Sequence, residues 1–295
     1  MGLVFDIGAH EGEDTGFYLH QGHRVVAVDA DPEMTAALIA RFAGAIESGR
    51  LFVLERAVSD RDDASLTFHR STSSIWSSAR REIADRSGAH RDTIDVRTTT
   101  LAALIAEHGV PDYCKIDIEG LDVVALRSLH GATALPAYLS VESECVAEAD
   151  DPADHDPLLT LRALREVGYE RYKLVDQRSL AVLSPRVRSY RRYERRWRRR
   201  ARARLKPLTR RLFTVDESAG YAIDPAVVLR RWRLGRRQGY DFPLGASGPY
   251  GESLPGDWLP FEAAADMLLM HRADYFSMDD AWSFGFWCDW HARAG

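Results

Sequence analysis

The 295-residue sequence lacks the segments that mark membrane-spanning or secreted proteins. No apolar run approaches the ~20 residues that a transmembrane helix needs. No basic leader precedes the first apolar segment, so we expect no secretory signal. The three cysteines, Cys114, Cys145 and Cys288, lie far apart and form neither a metal-ligand pattern nor an obvious disulfide set. We therefore expect a cytoplasmic protein of one large or two small domains.

The chain also lacks the G-x-G-x-x-G motif of dinucleotide-binding proteins. Its first apolar run ends in Asp6, followed by Gly8 and Gly12, with His10 where a middle glycine would stand. A helix-like segment and a second apolar run follow, and that run ends in Asp29. Such a strand, glycine turn, helix, strand and acid indicate a nucleoside-cofactor site, because the glycines admit the ligand and the acid binds ribose hydroxyls.

The charge of the glycine turn indicates which cofactor this is. Four carboxylates surround the turn: Asp6, Glu11, Glu13 and Asp14. They would repel a pyrophosphate but attract a ligand that carries an amino group and a sulfonium. We therefore predict S-adenosylmethionine (SAM) rather than NAD, and a Rossmann-type NAD-dependent oxidoreductase stays open as the alternative.

Strand-like and helix-like segments alternate over residues 1–185, which predicts an α/β domain with a doubly wound, mainly parallel sheet. Asp31 and Pro32 are predicted to begin a helix as N-cap and first helical residue. The composition changes after residue 185. Residues 186–295 are predicted to form an appended α-helical and irregular subdomain that acts as a lid, an acceptor-binding part or a homodimer contact.

A lysine lies within the fourth predicted strand, residues 113–118. Lys115, Asp117 and Glu119 are spaced by two, so if the chain is extended through Glu119 they share one face. A lysine buried in a sheet is costly unless it is paired, so we expect an ion pair with one of the two acids. A structural ion pair beside a turn and a functional site are both open interpretations.

Several segments together resemble the FkbM family of SAM-dependent methyltransferases; they read DIGAHEGEDTGFYL, VVAVDADP, AVSD, PDYCKIDIEGLDVVAL and YLSVESE. SSIW at 73–76 and GASGPYGE at 245–252 are similar to stretches of one bacterial branch. The resemblance implies a Rossmann-like class I methyltransferase fold. It also implies methylation of a hydroxyl on a carbohydrate or secondary metabolite, with SAM as cofactor and S-adenosylhomocysteine as product.

The resemblance also implies which residues bind the cofactor. The glycine turn would cradle the methionine part, Asp29 would hold the ribose, and Asp117 would close the pocket. Val58 and Ser59 would flank the adenine. The full expected set is Asp6, Gly8, Ala9, His10, Gly12, Thr15, Asp29, Ala30, Ala57, Val58, Ser59 and Asp117.

A hydroxyl is a poor nucleophile, so a base or a metal ion should assist its attack. Glu119 is the first candidate base, His10 the second and Glu142 the third, with Lys115 as a further catalytic candidate. A structural role for His10, as a turn residue that bonds the backbone, stays open as the alternative. The family more often has Asn at this position. Scattered acids alone do not make a metal site, so we predict none, although Asp117, Glu119 and Glu142 could share an ion.

Two aromatic residues, Trp76 and Tyr250, are candidates for binding the small-molecule acceptor, because aromatic faces suit sugar rings. Each is also compatible with simple packing on the core.

Residues 186–211 contain thirteen arginines and Lys206 against one acid, a local charge of +13, whereas the remainder carries −18. Three interpretations stay open. The segment lies against the acidic body, clamps a phosphate on the acceptor, or docks on an anionic membrane or RNA. A non-catalytic protein that docks through this segment is therefore another alternative. Signatures of RNA-binding modules are absent, so we expect no nucleic-acid partner.

Overall fold

The structure, a computed structural model, describes residues 2–85, 88–143, 156–185, 187, 225–243, 245–277 and 286–295. The strands are β1 (Leu3–Ile7), β2 (Arg24–Asp29), β3 (Leu51–Glu55), β4 (Ala57–Val58), β5 (Ser65–Ser71), β6 (His90–Thr99), β7 (Tyr113–Ile116), β8 (Tyr138–Glu142), β9 (Tyr169–Asp176), β10 (Ala181–Val182) and β11 (Cys288–Ala294). The helices are α1 (Thr15–His20), α2 (Pro32–Arg41), α3 (Ala43–Glu47), α4 (Arg81–Ala84), α5 (Leu101–His108), α6 (Asp122–Arg127), α7 (Leu159–Val167), α8 (Pro225–Gln238) and α9 (Phe261–Phe276).

The predicted α/β class is confirmed by an eight-stranded sheet in the order β10-β9-β11-β8-β7-β1-β2-β3. Strands β3, β2, β1, β7 and β8 are parallel, and β11 runs antiparallel to both of its neighbours. The order reverses direction at β1, so the chain winds outward on both sides of this strand. In such sheets the ligand site lies at the carboxyl ends of the strands beside the reversal.

The two faces of the sheet bury different side chains, because successive residues of a strand point to opposite sides. In β1, Phe5 and Ile7 pack into the core that α5, α6, α7 and α9 cover. Val4 packs into the opposite core, on the side of α1 and α2. Asp6 is fully buried on this second side. The charged side chain of β1, Asp6, therefore points to the α1 side of the sheet.

The apolar run over residues 51–58 predicts a single strand, and this prediction is wrong in one respect, because β3 does not continue to Val58. The chain leaves the main sheet at Arg56, and Ala57 and Val58 pair instead with Thr98 and Thr99 of β6. With β5 they form a three-stranded sheet in the order β4-β6-β5. Residues 72–85 follow β5 and include a 3-10 turn at Ser74–Trp76, which reaches the glycine turn through the contact of Ser74 with His10. We call residues 71–85 the cover segment.

The end of the chain belongs to the main sheet. Strand β11 lies between β8 and β9, and its Trp290 is fully buried in the core beside Tyr172. The division of the chain at residue 185 stays a prediction. Apart from Val187, the arginine-rich residues 186–211 lie outside the described residues. No helix in the described ranges is long and apolar enough to cross a membrane.

Candidate functional site

The centre of the candidate site is the ammonium group of Lys115 in β7. Its Nζ lies 3.6 Å from Asp6, 3.6 Å from Asp14 and 3.4 Å from Asp117, and it donates to the carbonyl oxygen of Gly8 at 3.3 Å. Burial lowers the pKa of Lys115, but its three carboxylate partners outweigh this and hold the pKa well above its ordinary value. The lysine therefore stays charged and joins β7 to the glycine turn.

Strand register explains why Asp6 is one of these partners. Asp6 is paired with Lys115 across the β1–β7 ladder, so both side chains point to the α1 side. The hydroxyl of Thr15 donates to Asp6 at 2.5 Å. Burial raises the pKa of Asp6 to about 7, although the charge of Lys115 opposes the shift. The ion pair predicted for Lys115 is thus a network that reaches two strands and the start of α1.

Asp14 connects this network to the far end of the chain. Its carboxylate accepts the backbone N–H of Ser247 at 3.0 and 2.9 Å and that of Gly248 at 3.4 Å. These two residues belong to the GASGPYGE segment at 245–252. Asp14 is almost fully buried, and burial raises its pKa against the opposing charge of Lys115. The C-terminal loop is therefore bonded directly to the carboxylates around Lys115.

Arg231 of α8 holds that loop in place. Its guanidinium donates to the carbonyl oxygens of Gln177 at 2.9 Å, Arg178 at 3.2 Å and Ala246 at 3.3 Å, and to that of Pro243. The side chain is buried, and burial lowers its pKa to about 10. One guanidinium thus ties the turn after β9 to the loop that bonds Asp14.

Asp29, at the carboxyl end of β2, lies beside the glycine turn. One carboxylate oxygen accepts the N–H of His10 at 2.8 Å, and the other accepts that of Asp31 at 2.9 Å. Burial raises the pKa of Asp29, although these hydrogen bonds oppose the shift. Two backbone bonds leave further lone pairs on the carboxylate for ligand hydroxyls.

The turn itself depends on glycine. Gly8 has φ +76°, and a Cβ atom there would lie 1.7 Å from the carbonyl oxygen of Asp117. Gly12 has φ +85°, and its Cβ would meet the rings and methyl groups of Phe42 and Leu38. The loop after β1 therefore packs directly against the loop after β7, which a larger residue would prevent.

The prediction that Lys115, Asp117 and Glu119 share one face of a strand is wrong at Glu119. Strand β7 ends at Ile116, and Glu119 has φ +50°, so the chain turns away before this residue. The hydroxyl of Ser78, in the cover segment, donates to the carbonyl oxygen of Glu119 at 2.6 Å. Asp122 accepts the N–H groups on either side of Glu119 at 3.1 and 3.0 Å. A left-handed turn therefore aims Glu119, not strand alternation.

Three acids nevertheless meet at the carboxyl ends of β7 and β8. Carboxylate oxygens of Asp117, Glu119 and Glu142 all lie within 4.8 Å of one another. Glu142 is paired with Asp289 across the β8–β11 ladder, which places a fourth carboxylate on the same face. Burial, together with these neighbouring carboxylates, raises the pKa of Glu142 well above its ordinary value. A cluster of this kind can hold a proton between two acids or an oxygen-ligated cation.

His10 makes side-chain contacts on both ring nitrogens. Nδ1 lies 3.1 Å from Glu13, and Nε2 lies 2.8 Å from the hydroxyl of Ser74 in the cover segment. Ser74 belongs to the same 3-10 turn as Trp76, which is half-buried. The cover segment therefore brings one of the two predicted acceptor-binding residues close to the glycine turn.

Tyr250 does not join the site, which corrects its predicted place there. Its ring stacks on Tyr113, with centroids 3.8 Å apart, and its hydroxyl bonds His23 at 3.0 Å. Tyr113 begins β7 and His23 precedes β2, so Tyr250 lies at the amino ends of the strands. It packs on the core at the opposite edge from Asp29 and the carboxyl ends.

Val58 and Ser59, expected to flank an adenine, and their neighbour Ala57 are nearly closed to solvent. Ala57 is 6%, Val58 3% and Ser59 7% exposed. Val58 packs in the main core, and Ala30 packs on the small cluster of Ala57, Phe68 and Val96. Sequence reasoning placed them near the end of β3, and they instead connect the two sheets.

Two other residues of the site, Ser78 and Asp289, carried no sequence signal. Ser74 lies in the SSIW segment, which only the resemblance marks. These residues come from distant segments, and only folding brings them together. The sequence does mark Asp14 as one of four acids in the turn. It marks the GASGPYGE segment only through the resemblance.

The sequence was also compared with known protein families. A family model described as the Methyltransferase FkbM domain matches residues 6–170, which is more than half of the chain. This chain belongs to the FkbM methyltransferase family. The match includes the glycine turn, Asp29, Lys115 and Glu142, and it ends before Arg231. A search of curated proteins found no match.

The FkbM-family chain is also similar to solved structures. One is a TehB-like SAM-dependent methyltransferase from Corynebacterium glutamicum, with 16% identity, 63% of this chain and 74% of that chain covered, and a TM-score of 0.34. A second is the Burkholderia thailandensis 1,6-didemethyltoxoflavin-N1-methyltransferase with bound 1,6-didemethyltoxoflavin and S-adenosylhomocysteine, with 20% identity, 58% of this chain and 61% of that chain covered, and a TM-score of 0.31. A third is a SAM-dependent methyltransferase from Thiobacillus denitrificans in complex with S-adenosylhomocysteine, with 12% identity, 99% of this chain and 83% of that chain covered, and a TM-score of 0.35.

Proposed function

We propose that this protein is a SAM-dependent methyltransferase that transfers a methyl group to a hydroxyl of a carbohydrate or secondary metabolite. The observation that carries the proposal is the position of Asp29. Its carboxylate is anchored by two backbone N–H groups at the end of β2, beside a turn that only glycine allows. An anchored acid in this position is the arrangement that binds the two hydroxyls of a ribose.

The residues present fit SAM. The turn offers Gly8 and Gly12, whose missing Cβ atoms leave room for close approach. Asp117 is 27% exposed in its side chain and lies at the carboxyl end of β7, where it can accept from an amino group. The acids along this edge suit a ligand that carries an ammonium and a sulfonium and has no phosphate. A dinucleotide would bring a pyrophosphate to the same carboxylates.

When bound, SAM supplies a methyl group on a positively charged sulfur. We propose that Asp29 holds the ribose, that Asp117 holds the amino group, and that Lys115 orients Asp117 while it joins the glycine turn to β7. The acceptor would enter between the cover segment, where Trp76 lies, and the acids at the ends of β7 and β8. Residues there must align the acceptor oxygen with the methyl group and remove its proton.

Two further expectations belong to this proposal. We propose a small-molecule acceptor for a cytoplasmic enzyme. We also propose that residues 186–295 complete the catalytic domain of residues 1–185, because Ser247 and Gly248 bond Asp14.

Titration calorimetry with SAM and S-adenosylhomocysteine tests the cofactor assignment. Asp29→Ala should weaken the affinity for both ligands at least tenfold, because the ribose hydroxyls lose their acceptor. Asp62→Ala, at an exposed aspartate, is the matched control and should bind as the wild type does. NADH should give no binding heat. Unchanged affinity in Asp29→Ala, or binding of NADH in place of SAM, would overturn the proposal.

A further inference from the structure

The imidazole of His10 lies between a carboxylate and a hydroxyl. Glu13, three residues further along the chain, contacts Nδ1 at 3.1 Å. Ser74, from the cover segment, contacts Nε2 at 2.8 Å. A carboxylate, an imidazole and a hydroxyl linked in this order form the arrangement by which proteins activate a hydroxyl group. The proposed function assigns no role to this arrangement.

The chemistry of Glu13 decides which nitrogen of His10 carries the proton. Burial would raise the pKa of Glu13, but the hydrogen bond and charge of His10 outweigh it and lower that pKa. An ionised carboxylate only accepts hydrogen bonds, so Nδ1 of His10 carries a proton. In the neutral ring Nε2 then has a free lone pair, and the hydroxyl of Ser74 donates to it.

The position of His10 links this arrangement to the proposed site. Its backbone N–H bonds Asp29, so the ring projects from the turn that would hold the cofactor. Ser74 is two residues before Trp76, in the same 3-10 turn. With the acceptor beside Trp76, as the proposed function has it, the Ser74 hydroxyl would stand between the lone pair of His10 and the acceptor.

We propose that Ser74 and His10 relay the proton of the acceptor hydroxyl, and that Glu13 is the positioning residue for His10. This inference rests on the proposed function. As the acceptor oxygen bonds the methyl carbon, the carbon–sulfur bond breaks and its electron pair goes to sulfur. The acceptor proton passes to Oγ of Ser74, and the proton of Ser74 passes to Nε2 of His10. Glu13 stabilises the imidazolium that results.

The charges around His10 set the pH at which the relay works. Burial lowers the pKa of His10, but Glu13 outweighs it, with Asp29 and Glu11 adding to the effect, so the pKa lies above its ordinary value. The base form therefore predominates only at a higher pH than for an ordinary histidine. Removal of the Glu13 charge should move this titration to lower pH.

The first test uses nitrogen-15 NMR of histidine in the protein without ligand. The chain has ten histidines, and the signal that disappears in His10→Asn assigns His10. Asn tolerates the left-handed backbone at this position, φ +48°, and keeps the N–H bond to Asp29. We expect the Nδ1–H tautomer in the wild type and a lower pKa in Glu13→Gln. The Nε2–H tautomer, or a pKa that Glu13→Gln leaves unchanged, would overturn the relay.

The second test follows release of S-adenosylhomocysteine from SAM with glycerol as the hydroxyl probe. His10→Asn and Ser74→Ala should slow release by ~10²-fold or more, as a lost base does. Ser74→Thr, which keeps the hydroxyl, should restore most of it. The acid limb of the pH profile should follow the pKa that NMR gives for His10. The relay would be overturned if neither substitution changed the rate of release, or if the wild type released no S-adenosylhomocysteine.

Calorimetry separates failure of the relay from failure of the proposed function. Ser74→Ala should bind SAM within about twofold of the wild type, because this change leaves Asp29 and the glycine turn intact. If Glu119→Gln alone abolished release while the two relay variants did not, the base would be Glu119 and the methyltransferase proposal would stand. If the wild type bound no SAM, the proposed function itself would fail.

Discussion

Removal of the Lys115 ammonium is the perturbation that examines the core of the site most directly. Lys115→Met keeps the length of the side chain and leaves the carboxylates of Asp6, Asp14 and Asp117 without their cation. Asp6 and Asp14 are almost fully buried, at 0% and 2% exposure. In the variant, their negative charges would be neither balanced by the lysine nor solvated by water.

The expected cost follows from the distances. At 3.4 to 3.6 Å, one pair of unit charges attracts by roughly 4–5 kcal/mol at an effective dielectric constant of about 20, before desolvation is subtracted. Loss of one partner of a buried ion pair typically costs about 3–5 kcal/mol. We expect Lys115→Met to lower the free energy of unfolding by about that amount at pH 8.

The pKa of Asp6 gives the loss a direction with pH. Its folded-state pKa, about 7, lies above the value of the unfolded chain, 3.8. Folded Asp6 therefore retains its proton over this range, and its contribution to stability is present at low pH and is lost as the pH rises to about 7. Without Lys115 only the hydrogen bond from Thr15 opposes the shift, so the loss continues to higher pH. The difference between wild type and variant should grow from pH 5 to pH 8.

Urea denaturation at several pH values measures this difference. Lys173→Met is the matched control, because Lys173 is equally buried but donates to the carbonyl oxygen of Leu254 at 2.8 Å and lies over the ring of Trp258. Its removal should not reproduce the growth with pH. A cost for Lys115→Met below about 1 kcal/mol, or one that stays constant with pH, would refute the electrostatic account.

Two further substitutions test how loops meet at the site. Gly8→Ala should prevent folding or abolish SAM binding in calorimetry, because its Cβ would lie 1.7 Å from a carbonyl oxygen. The control is Gly22→Ala, because a Cβ there meets nothing within 4 Å at a similar φ. Normal SAM binding by Gly8→Ala would contradict the packing of the two loops. Arg231→Met should lower the affinity for SAM about tenfold, because it releases the loop that bonds Asp14. For the same reason, limited proteolysis should cleave the variant near residue 245 faster than the wild type. Wild-type behaviour in both assays would show that the guanidinium does not hold this loop.

Local sequence signals were sufficient for the parts of the fold that depend on nearby residues. The side chain of Asp31 accepts the N–H of Glu33 at 2.9 Å and caps α2 as predicted, with Pro32 at its first position. The alternation of strands and helices predicted the α/β class. The glycine turn and Asp29 lie together because a strand, a turn and a parallel strand leave few other arrangements.

The sequence by itself determined the class of fold and the acidic turn, since these follow from periodicity, turn residues and charge over some thirty residues. Only the tertiary structure decided that Asp6 and Asp14 join Lys115, that β11 enters the main sheet, and that Tyr250 lies at its opposite edge. Register between distant strands and contacts between distant loops are set by packing over the whole chain. No local propensity carries that information.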